Sequence, residues 1–152
     1  RILIALYTVQ SNLISSPIFF VCEELEKQRF KYYHFLNSTR GNNPSWVNWI
    51  EFFLQASNRM ADKLNLLLEN AEKIAFAGLK KCEKEIQRKV YLLTFRYPNT
   101  NAVQVSQSLN ISPSTARQAL NFLVENQLLY KDEQSKRNVA YYNYDITQLI
   151  QA

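Results

Sequence analysis

The sequence predicts a mainly α-helical protein that ends in a small unit of three helices and a β-hairpin. Three observations carry this. Only two glycines and four prolines occur in 152 residues, too few turn formers for a sandwich or barrel. Apolar side chains recur at intervals of three and four over most of the chain. Near the end, residues 128–131 and 137–144 instead form short runs rich in Tyr and Val, separated by a polar loop. Apolar residues at 47% and aromatics at 13% exclude a disordered chain, and the length suits one medium domain or two small ones.

Residues 1–13 are apolar on most faces and read as a buried helix. A chain opening on Arg1 and Ile2 without a cap is expected to begin inside a helix of a larger protein. Ser15 or Ser16 then caps a second helix with Pro17 at its first position, running to about residue 37. Ile18, Val21, Cys22, Leu25, Arg29, Tyr32, Tyr33 and Leu36 make its inward stripe, with Glu23, Glu24, Glu26 and Lys27 toward water. Residues 38–44, STRGNNP, are a loop. A long helix follows from 45 to about 79. Trp46, Trp49, Ile50, Phe53, Leu54, Met60, Ala61, Leu64, Leu67, Leu68, Ala71, Ile74 and Ala75 keep its period. It would span about 50 Å, so its far half is expected to bridge to the next unit or pack on a second copy. Gly78 and the charged run KKCEKE mark the expected linker, dividing a domain over 1–79 from one over 80–152.

The second domain opens near Glu83, with Ile86, Val90, Leu93 and Tyr97 on a helix that Pro98 stops. Thr100 or Asn101 caps a short helix with Val103, Val105 and Leu109 inward, and Asn110 takes a left-handed turn. Ser112 and Pro113 open the next helix as cap and first residue. Its inward stripe is Ala116, Ala119, Leu120, Leu123 and Val124. The two strand patterns follow, joined by the loop DEQSK. This is the order of a winged helix-turn-helix.

Outward positions of the third helix of that unit are Ser114, Thr115, Arg117, Gln118 and Asn121, side chains that suit base edges and phosphates. The cap at Ser112 also leaves backbone N–H groups that favour phosphate. Lys131, Lys136 and Arg137 place cations on the wing. The whole chain carries net charge +5 with pI about 9.2. Its excess lies in this half: ten Lys or Arg against six Asp or Glu from Lys80 onward, eight against seven before it. The fold equally serves dimerisation or docking, so DNA contact and a scaffold role both follow from it. Tyr141, Tyr142 and Tyr144 read as core packing ahead of base stacking. Cys22 and Cys82 stand far apart and read as reduced cytosolic core thiols, and His34 alone makes no metal site. No apolar run reaches membrane-spanning length and no signal peptide is present, so a cytoplasmic protein without a membrane partner is expected.

The aromatic block KYYHFL and WVNWIEFFL adds a resemblance. Arg29, Tyr32, Tyr33, Leu36, then Trp46, Trp49, Ile50, Phe52, Phe53 and Leu54 follow in order the pattern R-x-x-Y-Y-x-x-L, polar turn, W-x-x-W-I-x-F-F-L. That pattern resembles the stretch after the active-site loop of Fic family proteins, and bacterial members often end in a winged helix. The resemblance implies helices from the C-terminal part of a Fic-type catalytic domain. It implies a bacterial parent that transfers AMP from ATP, with Mg, to a hydroxyl of a target protein. The family's loop, H-P-F-x-x-G-N-G-R-x-x-R, is absent here. By resemblance Arg1 is the final arginine of that loop, Tyr33 lines the adenine pocket and Arg40 lies beside the nucleotide. Without the loop histidine, the phosphate loop and the metal-binding acid, this chain is expected to catalyse nothing and to bind no cofactor by itself. The competing expectation is a DNA-binding transcriptional regulator whose helical half forms a homodimer.

Overall fold

The computed structural model describes residues 2–15, 20–132, 134 and 138–151. The chain divides into two compact units, Arg1–Leu66 and Leu67–Ala152. Among the described residues are eight helices and three short strands, a mainly α architecture.

In the first unit, α1 (Ile2–Gln10) ends before Asn12, which takes the left-handed region at φ 54°. The single helix expected over residues 17–37 is two, α2 (Val21–Lys27) and α3 (Arg29–Ser38), separated at Gln28. The expected cap at Ser16 and Pro17 lies outside the described residues. Nothing in the sequence marks the break, where neither Pro nor Gly stands. The near half of the long helix α4 (Trp46–Lys81) completes this unit. Val21, Leu25, Phe52 and Ala56 are buried, with Tyr32, Phe35, Trp49, Phe53 and Met60 against them. Aromatic edges tie α3 to α4: Tyr32 meets Trp49 at 5.5 Å and Phe35 meets Phe52 at 5.2 Å between ring centroids. Glu24 is buried as well. It accepts hydrogen bonds from Lys27 at 2.6 Å and Arg59 at 3.4 Å, and these hold its carboxyl below the usual carboxylate range.

Several expectations for this unit fail. The helix expected to be buried over residues 1–13 leaves Leu3, Leu6 and Tyr7 exposed, and Glu24, expected toward water, is buried. Arg29, placed on the inward stripe, is exposed and reaches Glu26 at 3.8 Å. Tyr33 stays 44% exposed. Trp46, Ile50 and Leu54 share the helical period with Trp49 and Phe53 yet are half or more exposed, as is Val47. Period shows which face is apolar; only the neighbouring helices decide how much of that face is covered.

The second unit begins inside α4. Gly78, expected in a linker, is a buried residue of the helix, and α4 continues to Lys81. The reason is Tyr91 on α5 (Glu85–Arg96), whose ring lies against Gly78 and whose hydroxyl donates to the Ile74 carbonyl at 3.1 Å. The helix thus needs a residue without Cβ where the ring crosses it. Buried Gln87 secures the start of α5 by accepting from the backbone N–H groups of Glu83 and Lys84. Pro98 follows, and residues Asn99–Asn101 form a strand, β1, which their polar, Asn-rich composition does not suggest.

Asn101 caps α6 (Ala102–Leu109), its side chain accepting from the Gln104 N–H at 2.9 Å. Val105 is buried, but Val103, expected inward, is exposed. Asn110 takes the left-handed turn as expected, at φ 52°. Then α7 (Pro113–Glu125) buries Ala116, Ala119, Leu120 and Leu123. The two runs of strand character shorten to β2 (Tyr130–Lys131) and β3 (Ala140–Tyr142), and the sheet order is β1-β3-β2, all antiparallel. Tyr144, assigned to a strand, instead opens a further helix, α8 (Tyr144–Gln151). Asn143 explains the change. Its side-chain oxygen accepts from the Ile146 N–H at 3.3 Å as a helix cap, and its amide donates to Thr94 Oγ1 at 2.9 Å.

Candidate functional site

The side chains of α7 are placed by its cap and its buried stripe together. Ser112 Oγ accepts from the Thr115 N–H at 3.1 Å, and the two hydroxyls lie 2.8 Å apart. With Ala116, Ala119, Leu120 and Leu123 turned to the core, helical period leaves Ser114, Arg117 and Gln118 exposed and Asn121 at the margin. Thr115 is also engaged locally, its N–H donating to Ser112 Oγ and its hydroxyl lying beside it.

The hairpin closes one side of this face. Lys131 pairs with Tyr141 in the β2–β3 register, so the two share a side of the sheet. Tyr141 is buried and its hydroxyl donates to Asn121 Oδ1 at 2.9 Å. Burial pushes its phenol above the ordinary tyrosine range, against the opposing pull of Arg117. A groove of about 420 Å³ results, lined by Val103, Arg117, Asn121, Lys131, Asn138 and Tyr141, with Ala102 and Val139 completing it. Among the described residues two cations face it and no carboxylate does. Such a groove attracts an anionic backbone and offers amide and guanidinium groups to whatever the backbone carries.

Of the residues expected to read DNA, the structure therefore brings Arg117 and Asn121 into one groove with Lys131. Ser114 and Gln118 are exposed on the same helix. Lys136 and Arg137 lie outside the described residues. Sequence reasoning missed Val103, Asn138 and the Tyr141–Asn121 bond. Period-two alternation from Tyr141 could have placed Lys131 on the α7 side, but the bond needs the hairpin's final position. The tyrosines divide. Tyr141 is core, as expected, whereas Tyr142 and Tyr130 pair across the sheet on the opposite face. There Tyr144 stacks on Tyr142 at 5.7 Å and meets Tyr130 at 4.9 Å, with Tyr144 exposed.

In the first unit, the Tyr33 ring meets Tyr32 edge-on at 5.1 Å, with the Arg29 guanidinium 5.8 Å from its centre. Arg40 is exposed in the turn beyond α3, its N–H donating to the Asn37 carbonyl at 3.1 Å. Arg1 lies outside the described residues. Gln28, Lys31, His34, Asn48, Glu51 and Gln55 rim a second groove, of about 400 Å³, floored by Phe35 and Phe52. It holds one lysine and one carboxylate, so it has no strong preference for either sign of charge. Cys82 is buried and Cys22 half-buried, both as free thiols. No three His, Cys, Asp or Glu side chains converge among the described residues, and no helix among them is long and apolar enough to cross a membrane. No protein-family model matches the chain, and no curated protein matches it either.

Proposed function

We propose that this chain is the C-terminal part of a Fic-type protein adenylyltransferase whose second unit is a winged helix-turn-helix. One observation carries the reading. The aromatic residues that match the family pattern are divided by role: Tyr32, Trp49, Phe52 and Phe53 lock α3 to α4, while Trp46, Ile50 and Leu54 stay exposed. A contiguous apolar stripe on a helix is what the missing part of a catalytic domain would cover. In this reading Tyr33 offers an accessible ring to adenine, with Arg40 and Arg1 toward the phosphates. The chain carries no glycine-rich phosphate loop, so in this reading catalysis and Mg belong to the parent, whose target protein donates the hydroxyl. The test is to extend the protein by the residues encoded immediately before Arg1, supply ATP labelled in its α-phosphate, and look for label on protein. The absence of an H-P-F-x-x-G-N-G-R-type loop from those residues sinks the reading.

A second reading, that the winged unit contacts duplex DNA, is favoured by the groove holding Arg117, Asn121 and Lys131, with no carboxylate among its described lining residues. Each cation that meets a phosphate should lower the slope of log affinity against log salt by about 1 when replaced by alanine. Fluorescence anisotropy of a labelled duplex measures this for Arg117→Ala and Lys131→Ala. No salt-dependent binding at low ionic strength leaves the winged unit as a docking or dimerisation module.

A further inference from the structure

We propose that the face of α4 around Phe76 is a two-fold, antiparallel contact with a second copy of this chain. The inference uses one helix face of the second unit and is independent of the AMP-transfer reading. Phe76 is 65% exposed, the most exposed large apolar side chain described in that unit. It stands two residues from Ile74 and two from Gly78, both of which meet Tyr91, so it lies on nearly the opposite side of the helix. Glu69, Glu72, Lys73, Ala77 and Lys80 surround it in an open trough of about 640 Å³. Lys80 Nζ sits 5.0 Å from the centre of the Phe76 ring.

The charges decide the occupant. Glu69, Glu72 and Lys73 make no ion pair among the described residues, although Glu69 and Lys73 are one helical turn apart. Glu69 and Glu72 lie toward the N-terminal end of the stripe with Lys73 beside them, and Lys80 lies toward the C-terminal end, past the aromatic ring. A parallel copy would set Glu69 on Glu69 and Lys80 on Lys80. An antiparallel copy reverses the order. With the two-fold axis beside Ala75, Glu69 faces Lys80 of the second copy, and Lys73 lays its stem over Phe76 of the second copy. Symmetry makes each contact twice. The stripe is thus complementary to itself, which no unrelated partner has to be. Its ion pairs are solvated and its apolar centre is one ring per copy, so the association is weak and salt-sensitive.

Sedimentation velocity on the full chain tests this. At low ionic strength and rising concentration a monomer–dimer equilibrium is expected, weakened by salt. Phe76→Ala should loosen it by about tenfold without changing the thermal midpoint of unfolding, since the ring is exposed. Glu69→Lys and Lys80→Glu should each loosen it by a similar factor. The chain carrying both changes should recover the dimer, and an equimolar mixture of the two single variants should form mixed dimers. A monomer at every concentration overturns the proposal. So does a dimer indifferent to Phe76→Ala, or a double variant no better than the singles.

Discussion

Replacing Gly78 with alanine is the sharpest probe of how the second unit is held together. An exposed glycine in the middle of a helix gains about 1 kcal/mol on becoming alanine, because the backbone loses less freedom on folding. At position 78 the new Cβ would fall under 3.0 Å from Cζ, Oη and Cε1 of Tyr91, closer than real Cβ atoms approach their neighbours. The ring cannot stay. Tyr91 is 1% exposed and fixed from the far side by Phe95, whose ring meets it edge-on at 5.2 Å. Moving it strains the core by about 1–3 kcal/mol. It also pulls the Tyr91 hydroxyl from the Ile74 carbonyl, leaving a buried donor without a partner at about 1–3 kcal/mol. After the gain in helix propensity the net effect is a loss of about 1–5 kcal/mol. Urea unfolding followed by far-UV circular dichroism measures it, and an unchanged slope shows that the same structure is unfolding. The companion variant is Gly78→Ala in a Tyr91→Ala background, where the obstruction is gone and alanine should be neutral or stabilising. If Gly78→Ala alone raises stability, the packing argument is refuted.

Two further stability predictions follow from buried polar groups. Burial, with the Asp145 and Cys82 charges adding to it, pushes the Tyr91 phenol up to about 12. A folded-state value raised above the unfolded one near 10 means that its stabilisation is complete below pH 10 and is lost as pH rises toward 12. The loss is about 2–3 kcal/mol, and Tyr91→Phe should abolish that part of the alkaline decline when the two unfolding profiles are subtracted. An unchanged alkaline profile in Tyr91→Phe would show that the phenol does not titrate there. Asn143→Ala should cost about 1–3 kcal/mol, since it removes the cap of α8 and the donor to Thr94 Oγ1, whose hydroxyl keeps only its bond to the Tyr91 carbonyl. Amide hydrogen exchange should then rise first in α8, and protection equal to the parent's would count against the cap.

Much of the second unit was legible because its punctuation is local. Asn101, Asn110, Ser112 and Pro113 set the ends of α6 and α7 through bonds that reach no further than three or four residues. The inward stripe of α7 was equally readable from its period. Other features depend on residues that arrive from elsewhere. Gly78 reads as a breaker until Tyr91 crosses it. The run Asn99–Asn101 has poor strand propensity and pairs only because β3 lies beside it. Asn143 ends β3 and starts α8 through Thr94, which is far away in sequence. For the site, exposure of Arg117 followed from helix geometry, whereas the contact of the Thr115 hydroxyl with Ser112 and the bond from Tyr141 to Asn121 required positions. The exposure of Trp46, Ile50 and Leu54 could not have been read at all, since an apolar stripe looks the same in sequence whether covered or bare.

The bond between Tyr141 and Asn121 has a consequence for selectivity. An unrestrained asparagine can turn either end of its amide to a ligand, and so greets donors and acceptors alike. Here the oxygen is occupied by the tyrosine, which fixes the amide with its nitrogen as the free end. Arg117 and Lys131 have no accepting atom in their charged heads. Three of the groove's polar side chains therefore speak with one polarity, and a molecule poor in lone pairs finds little to hold there. Tyr141→Phe would free the amide to turn over, loosening that preference while keeping Arg117, Asn121 and Lys131 in the groove.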